Sequence, residues 1–164
     1  MRNVFLSYQI FDFIAIFCPF TPTPQKIVAQ KPKTISSKEE FEVIKTHCMQ
    51  GANMLRRLEN FEDEPLLQTA YDIARWHHER WDGRGYPDGL KGNDIPISAQ
   101  IVSLADVYDA LTSERCYKEA FSHETAMRMI LNGECGAFNP LLLECLTDIQ
   151  AELQEKLKST TVNR

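Results

Sequence analysis

Three of the four histidines sit where they could act together. His77 and His78 are neighbours, and a loop opens just beyond them at Trp81-Asp82-Gly83. Neighbours on a helix point about 100° apart, so this pair can meet one ion only where its helix ends. His47 lies on an earlier helical stretch, shortly after Val43 and Ile44. Asp106 is set in an apolar run, Ile101-Val102-Ser103-Leu104-Ala105-Asp106-Val107. A lone buried carboxylate is costly, so it needs a partner there. Imidazoles with a carboxylate suit zinc, iron, manganese or nickel. On residue types alone two readings stand. In one, these residues form a divalent-metal site. In the other, each histidine is a satisfied core or boundary residue, and Asp106 caps a helix or pairs with Arg75 or Arg115.

The elements that must position these groups read as helices. Ser37-Lys38-Glu39-Glu40 has the form of a capping box, and Phe41, Ile44, Cys48 and Leu55 then recur at helical spacing. Glu62 to Glu64 precede Pro65, which suits acids and a first-turn proline at the positive end of a helix. Leu67, Ala70, Tyr71, Ala74, His78 and Trp81 form the next apolar stripe. Residues 82–96, rich in glycine and bounded by Pro96, read as coil. Ile101, Leu104, Ala105, Tyr108 and Leu111 mark a third helix, and a fourth is expected from Ser122 to Gly133. Asn139-Pro140 opens a last one carrying Leu142, Leu146, Ile149, Leu153 and Leu157. No segment alternates with period two, so the fold class is all-α, with five or so helices.

The totals narrow the function. With 164 residues, 43% apolar and 25% charged, the chain has the size and composition of one globular domain. A net charge of -5 argues against a DNA or general nucleic-acid partner, which would call for a basic excess. Five cysteines, an odd count with no CxxC pair, read as reduced thiols and a cytoplasmic location rather than a disulfide framework. Val4 to Phe20 is apolar and aromatic, but Asp12 interrupts it, and a spanning helix needs about 20 mostly apolar residues. A membrane role is therefore not expected. The Thr21-Pro22-Thr23-Pro24 break ends any helix before it. The expected division is an apolar N-terminal segment at 1–23, a domain at 24–158 and a tail at 159–164.

The run from His77 through Gly92, His-His-Glu-Arg-Trp-Asp-Gly-Arg-Gly-Tyr-Pro-Asp-Gly-Leu-Lys-Gly, closely resembles the HHExxDGxGYPxGLxG loop of HD-GYP domains. Ala99 to Ser113 is similar to that family's next helix, and Glu114 to Lys118 to its R-x-Y-K stretch. Lys31-Pro32, Lys45-Thr46-His47 and Phe138-Asn139-Pro140 match further family positions, the last with Asn where the family usually has Asp. The resemblance runs from about residue 24 to about 147 and implies a helical HD-domain-like bundle with a long GYP loop. It implies metal-dependent hydrolysis of cyclic di-GMP in bacterial signalling, with iron or manganese as the ion. It further implies that His47, His77 and His78 hold one ion and that Asp106 serves another. Tyr86, Arg115 and Lys118 fall where the cyclic dinucleotide is held, and Gly85-Tyr86-Pro87 where partner signalling domains make contact. The copy departs from the pattern upstream. Where the His-Asp pair and the lysine of H-D-x-G-K should fall, this sequence reads Phe17-Cys18-Pro19-Phe20-Thr21. The family's second ligand set is absent from that stretch. The resemblance therefore implies a truncated or degenerate copy that retains at most one ion, with no catalytic residue assignable and with little or no turnover.

Overall fold

The computed structural model describes residues 38–58, 64–113 and 119–162. Among these there are six α-helices, one three-residue 3-10 turn and no strand. The helices are α1 (Lys38–Arg56), α2 (Pro65–Trp76), α3 (Ile97–Thr112), α4 (His123–Leu131), α5 (Pro140–Asp148) and α6 (Gln150–Val162). The 3-10 turn, Gly92–Asp94, lies in the segment between α2 and α3. The all-α expectation is met.

Local chemistry accounts for the starts. Pro65 opens α2, although Glu64 before it makes no capping hydrogen bond. The Ser122 hydroxyl accepts from the Thr125 amide at the start of α4, and Asn139 Oδ1 accepts from the Leu141 amide at the start of α5. These bonds satisfy amides that the first helical turn leaves without partners. Ser37, the expected cap of α1, lies outside the described residues.

Two boundaries differ from expectation. Helix α2 stops at Trp76, so His78 and Trp81 do not extend its stripe. The His77 amide still bonds to Ile73 O, but the Glu79 amide turns back to Trp76 O, closing the last turn. The expected single C-terminal helix is two, α5 and α6, parted at Ile149. Hydrogen bonds cross that junction, from Ile149 N to Cys145 O and from Leu153 N to Ile149 O, so it is a local kink rather than a loop. Helix α6 continues to Val162, across residue 158.

Helix α1 packs on α2, α2 on α3 and α3 on α4. The larger core joins Leu104, Tyr108 and Leu111 of α3 to Ala126, Met127 and Ile130 of α4 and Leu146 of α5. A smaller one joins Ala52 and Leu55 of α1 to Tyr71 of α2. No described helix is long and apolar enough to cross a membrane. The apolar stretch 4–20 lies outside the described residues.

Candidate metal centre

The smaller core continues at one end into a polar cluster. On α1, His47 and Cys48 precede the buried Ala52 and Leu55 on the same side of the helix, and both are buried, with Cys48 at 0% exposure. His77 is the C-cap of α2 and His78 follows it outside the helix, which frees two adjacent residues to face one point. The Nε2 atoms of His47 and His77 stand 3.3 Å apart. The ring centroid of His78 lies 5.0 Å from that of His47 and 4.2 Å from that of His77. Cys48 Sγ is 3.5 Å from His47 Nε2. One ligand atom from each of His47, Cys48, His77 and His78 lies within 4.8 Å of every other.

Backbone carbonyls fix the state of two rings. His47 Nδ1 donates to Ile44 O at 2.6 Å, and His77 Nδ1 donates to Ile73 O at 2.8 Å. A carbonyl only accepts, so each ring carries its hydrogen on Nδ1 and presents a lone pair, not a hydrogen, at Nε2. Two lone pairs facing each other at 3.3 Å repel unless a cation lies between them. A shared proton does not serve at neutral pH, because burial lowers the pKa of His77 to about 4. Burial, with the neighbouring His77 and His47, lowers that of His78 to about 2. Neutral imidazoles with Nδ1 tied to carbonyls are the usual arrangement of metal-binding histidines. The residues therefore fit a divalent transition-metal ion.

The loop after α2 closes over this cluster. A Cβ on Gly85 would lie 2.4 Å from Arg80 N and Glu79 Cα and 2.6 Å from His78 O, so only glycine lets the chain fold back this closely. The next residue uses the approach: the Tyr86 amide donates to His78 O at 3.2 Å, and its ring lies 4.8 Å from the His78 ring at a 30° tilt. Phe41 meets Tyr86 edge-on, and Lys45 Nζ lies over both rings. Glu79 is buried, and its Oε1 accepts from the Asp88 and Gly89 amides. Burial raises its pKa, and those amide bonds oppose the rise. Asp88 is held by a two-pronged bond from Arg75 and a third from Trp76 Nε1 at 2.7 Å. The Arg75 guanidinium beside it holds the Asp88 carboxyl below its ordinary range. At the far end, Gln100 Nε2 donates to Ile95 O, and Asn139 Nδ2 donates to Gln100 Oε1, tying the loop's exit to α3 and α5.

The sequence-derived candidates thus have different placements. His47, His77 and His78 come together, and Tyr86 lies against them. Asp106 is half-buried on α3 and is not one of the four clustered groups. Arg115 and Lys118 lie outside the described residues. Arg75, weighed as a partner for Asp106, forks onto Asp88. Cys48 joins the cluster although periodicity assigned it to the apolar face. The available signal was its position next to His47 on a helix one of whose faces must turn to the ligands.

The sequence pattern of a family described as "HD domain" matches residues 19–137. The chain belongs to the HD domain family. Within that family it is similar to a probable cyclic di-GMP phosphodiesterase of Vibrio cholerae, 45% identical over 108 residues, covering 65% of this chain and 24% of the relative. A cyclic di-GMP phosphodiesterase of Thermotoga maritima is 40% identical over 121 residues, covering 74% and 32%. A 3'3'-cGAMP-specific phosphodiesterase 2 of Vibrio cholerae is 36% identical over 121 residues, covering 74% and 22%. The chain spans about a quarter to a third of the length of these curated relatives. It is an HD-GYP-type module of a metal-dependent phosphohydrolase family, as its His77–Gly92 loop implied.

Proposed function

We propose that this chain is a cytoplasmic signalling module that binds one divalent metal ion and a cyclic dinucleotide of the cyclic di-GMP type, with turnover close to background. The observation that carries the metal reading is the pair of opposed Nε2 lone pairs, 3.3 Å apart, with both Nδ1 hydrogens committed to backbone carbonyls. His47, His77 and His78 would hold the ion, iron or manganese by analogy with the family, and Asp106 is the candidate carboxylate for a second position. Such an ion supplies Lewis-acid activation of a water and positive charge to a phosphate oxygen.

The names of the relatives support a cyclic dinucleotide as the ligand. Tyr86 offers a ring beside the cluster, Arg115 a planar fork for a phosphate and Lys118 a point charge. Gly85-Tyr86-Pro87 is the proposed contact for a partner signalling domain, next to the exposed Arg84 and Asp88. Phe17-Cys18-Pro19-Phe20-Thr21 supports the low turnover: it supplies no carboxylate to bridge two ions and no lysine. Losing one preorganised electrostatic group commonly costs about 100- to 1000-fold in rate, and an ion with its bridge costs at least that.

The test combines metal content, calorimetry and turnover. The purified chain should carry a divalent ion that His78→Ala loses. It should bind cyclic di-GMP weakly, more weakly still in Arg115→Ala than in Arg115→Lys, and hydrolyse it near background with added manganese or iron. An absence of metal, an absence of dinucleotide binding, or a rate within about tenfold of a full-length family member would overturn the corresponding part.

A further inference from the structure

We propose that Cys48 is a fourth ligand, which makes the cluster a closed site of three imidazoles and one thiolate. The class of ion it takes is a tetrahedral, borderline-soft one of the zinc type. The inference rests on the reading that the histidines bind a cation, and it refines which cation and to what end.

The geometry points there. Bonds of about 2.0–2.1 Å to nitrogen and about 2.3 Å to sulfur give tetrahedral edges of about 3.3–3.4 Å between nitrogens and about 3.6 Å between nitrogen and sulfur. The structure has 3.3 Å between His47 Nε2 and His77 Nε2, and 3.5 Å between His47 Nε2 and Cys48 Sγ. All four ligand atoms stand within 4.8 Å of one another. Cys48 is wholly buried where the small apolar core gives way to the histidines. Packing alone explains the burial but not the aim of the sulfur at Nε2. The other explanation is a thiol hydrogen donated to His47 Nε2, a weak bond that leaves the opposed lone pair of His77 unanswered.

The chemical consequence is specific. A thiolate among imidazoles shifts preference from the harder manganese ion toward zinc. A zinc held by four protein ligands keeps no open position for a water, which is the mark of a structural site. The ion would then fasten α1 to the end of α2 and to the start of the loop rather than prepare a hydroxide.

The test needs no substitution for its first arm. The whole purified chain is loaded with cobalt(II) as a spectroscopic stand-in for zinc, and the near-ultraviolet sulfur-to-cobalt charge-transfer absorption is recorded. The band should appear in the unsubstituted chain, persist in Cys145→Ala and vanish in Cys48→Ala. In parallel, zinc affinity is measured by competition with a chelating dye. Outer-shell partners of a metal site are each worth roughly 10- to 100-fold in affinity, so Cys48→Ala should weaken zinc binding by at least about tenfold. Cobalt binding without the band, or zinc affinity in Cys48→Ala within about twofold of the unsubstituted chain, overturns the fourth ligand and leaves three-histidine binding standing. If neither ion binds the unsubstituted chain, the underlying metal reading falls as well, which separates the two failures.

Discussion

Between α3, α4 and α5, seven buried side chains from Leu104 to Leu146 interlock with no ionisable group except the Tyr108 phenol, which bonds to His123. Between α1 and α2 the buried apolar set is three, Ala52, Leu55 and Tyr71. Beside it lie His47, His77, Glu79 and Cys48, all buried. The first region is held by shape and apolar area, which tolerate loss in graded steps. The second gives up apolar area to groups that must be neutral, hydrogen-bonded or bound to a cation. Its integrity therefore depends on single contacts that have no near substitutes.

The strongest way to break that contrast is Gly85→Ala. The new methyl would meet the backbone of Glu79 and Arg80 at 2.4 Å, and backbone cannot yield as a side chain can. The expected cost is about 4 kcal/mol or more in the loop and cluster. Metal binding should be lost while the far-ultraviolet helical signal of α3 to α6 persists. Chemical denaturation followed with and without zinc would check this, and metal affinity at the unsubstituted level would refute it.

Ile130→Ala should produce the opposite signature. Ile130 is fully buried in the larger core, so truncation should cost roughly 2–5 kcal/mol of global stability. The folded fraction should bind metal with unchanged affinity.

Acid should act on the second region before the first. The pKa of His77 falls from 6.5 to about 4 on folding, because burial disfavours its charged form, and His78 falls further, to about 2. The unfolded chain thus binds protons that the folded one refuses. The stability these rings contribute is complete above about pH 6.5 and drains away as pH falls toward 4. Denaturation midpoints measured from pH 7 to pH 4.5 should decline, with amides of α1 and α2 losing hydrogen-exchange protection first. A flat midpoint would mean that these rings are not buried neutral.

The smallest effect sharpens the seam between the regions. Asn139→Asp keeps the cap on Leu141 but removes the donor to Gln100 Oε1. The cost should be about 1–3 kcal/mol, the usual penalty for leaving a buried polar atom unmet. It should appear as faster exchange at the end of the loop, near Ile95 and Gln100.

Much of this was legible in the chain. Helical periodicity placed the helices, and Ser122 and Asn139 marked their starts by the side chains that amide groups need. The histidines stood out through the likeness of the His77–Gly92 run to the HD-GYP loop, since residue types alone left a core reading open. The end of α2 was not, because an apolar stripe continues to Trp81 while the turn at Glu79 is set by amides nine and ten residues further on. Arg75 was matched to a partner from composition, whereas its fork is chosen by where Asp88 comes to rest. Cys48 was read as core because a thiol and a methyl satisfy the same periodicity. Only the position of His77, brought in from another helix, tells them apart.

The carbonyl bonds at the two Nδ1 atoms also fix the proton inventory of ion uptake. Rings that already hold their single hydrogen on the far nitrogen have nothing to expel when Nε2 takes up a charge. Loading these imidazoles near neutrality is therefore silent toward the buffer. In the proposed four-ligand site, acid liberated on binding would come from the Cys48 thiol, so the heat of binding in buffers of differing protonation enthalpy would count the thiol and not these two histidines.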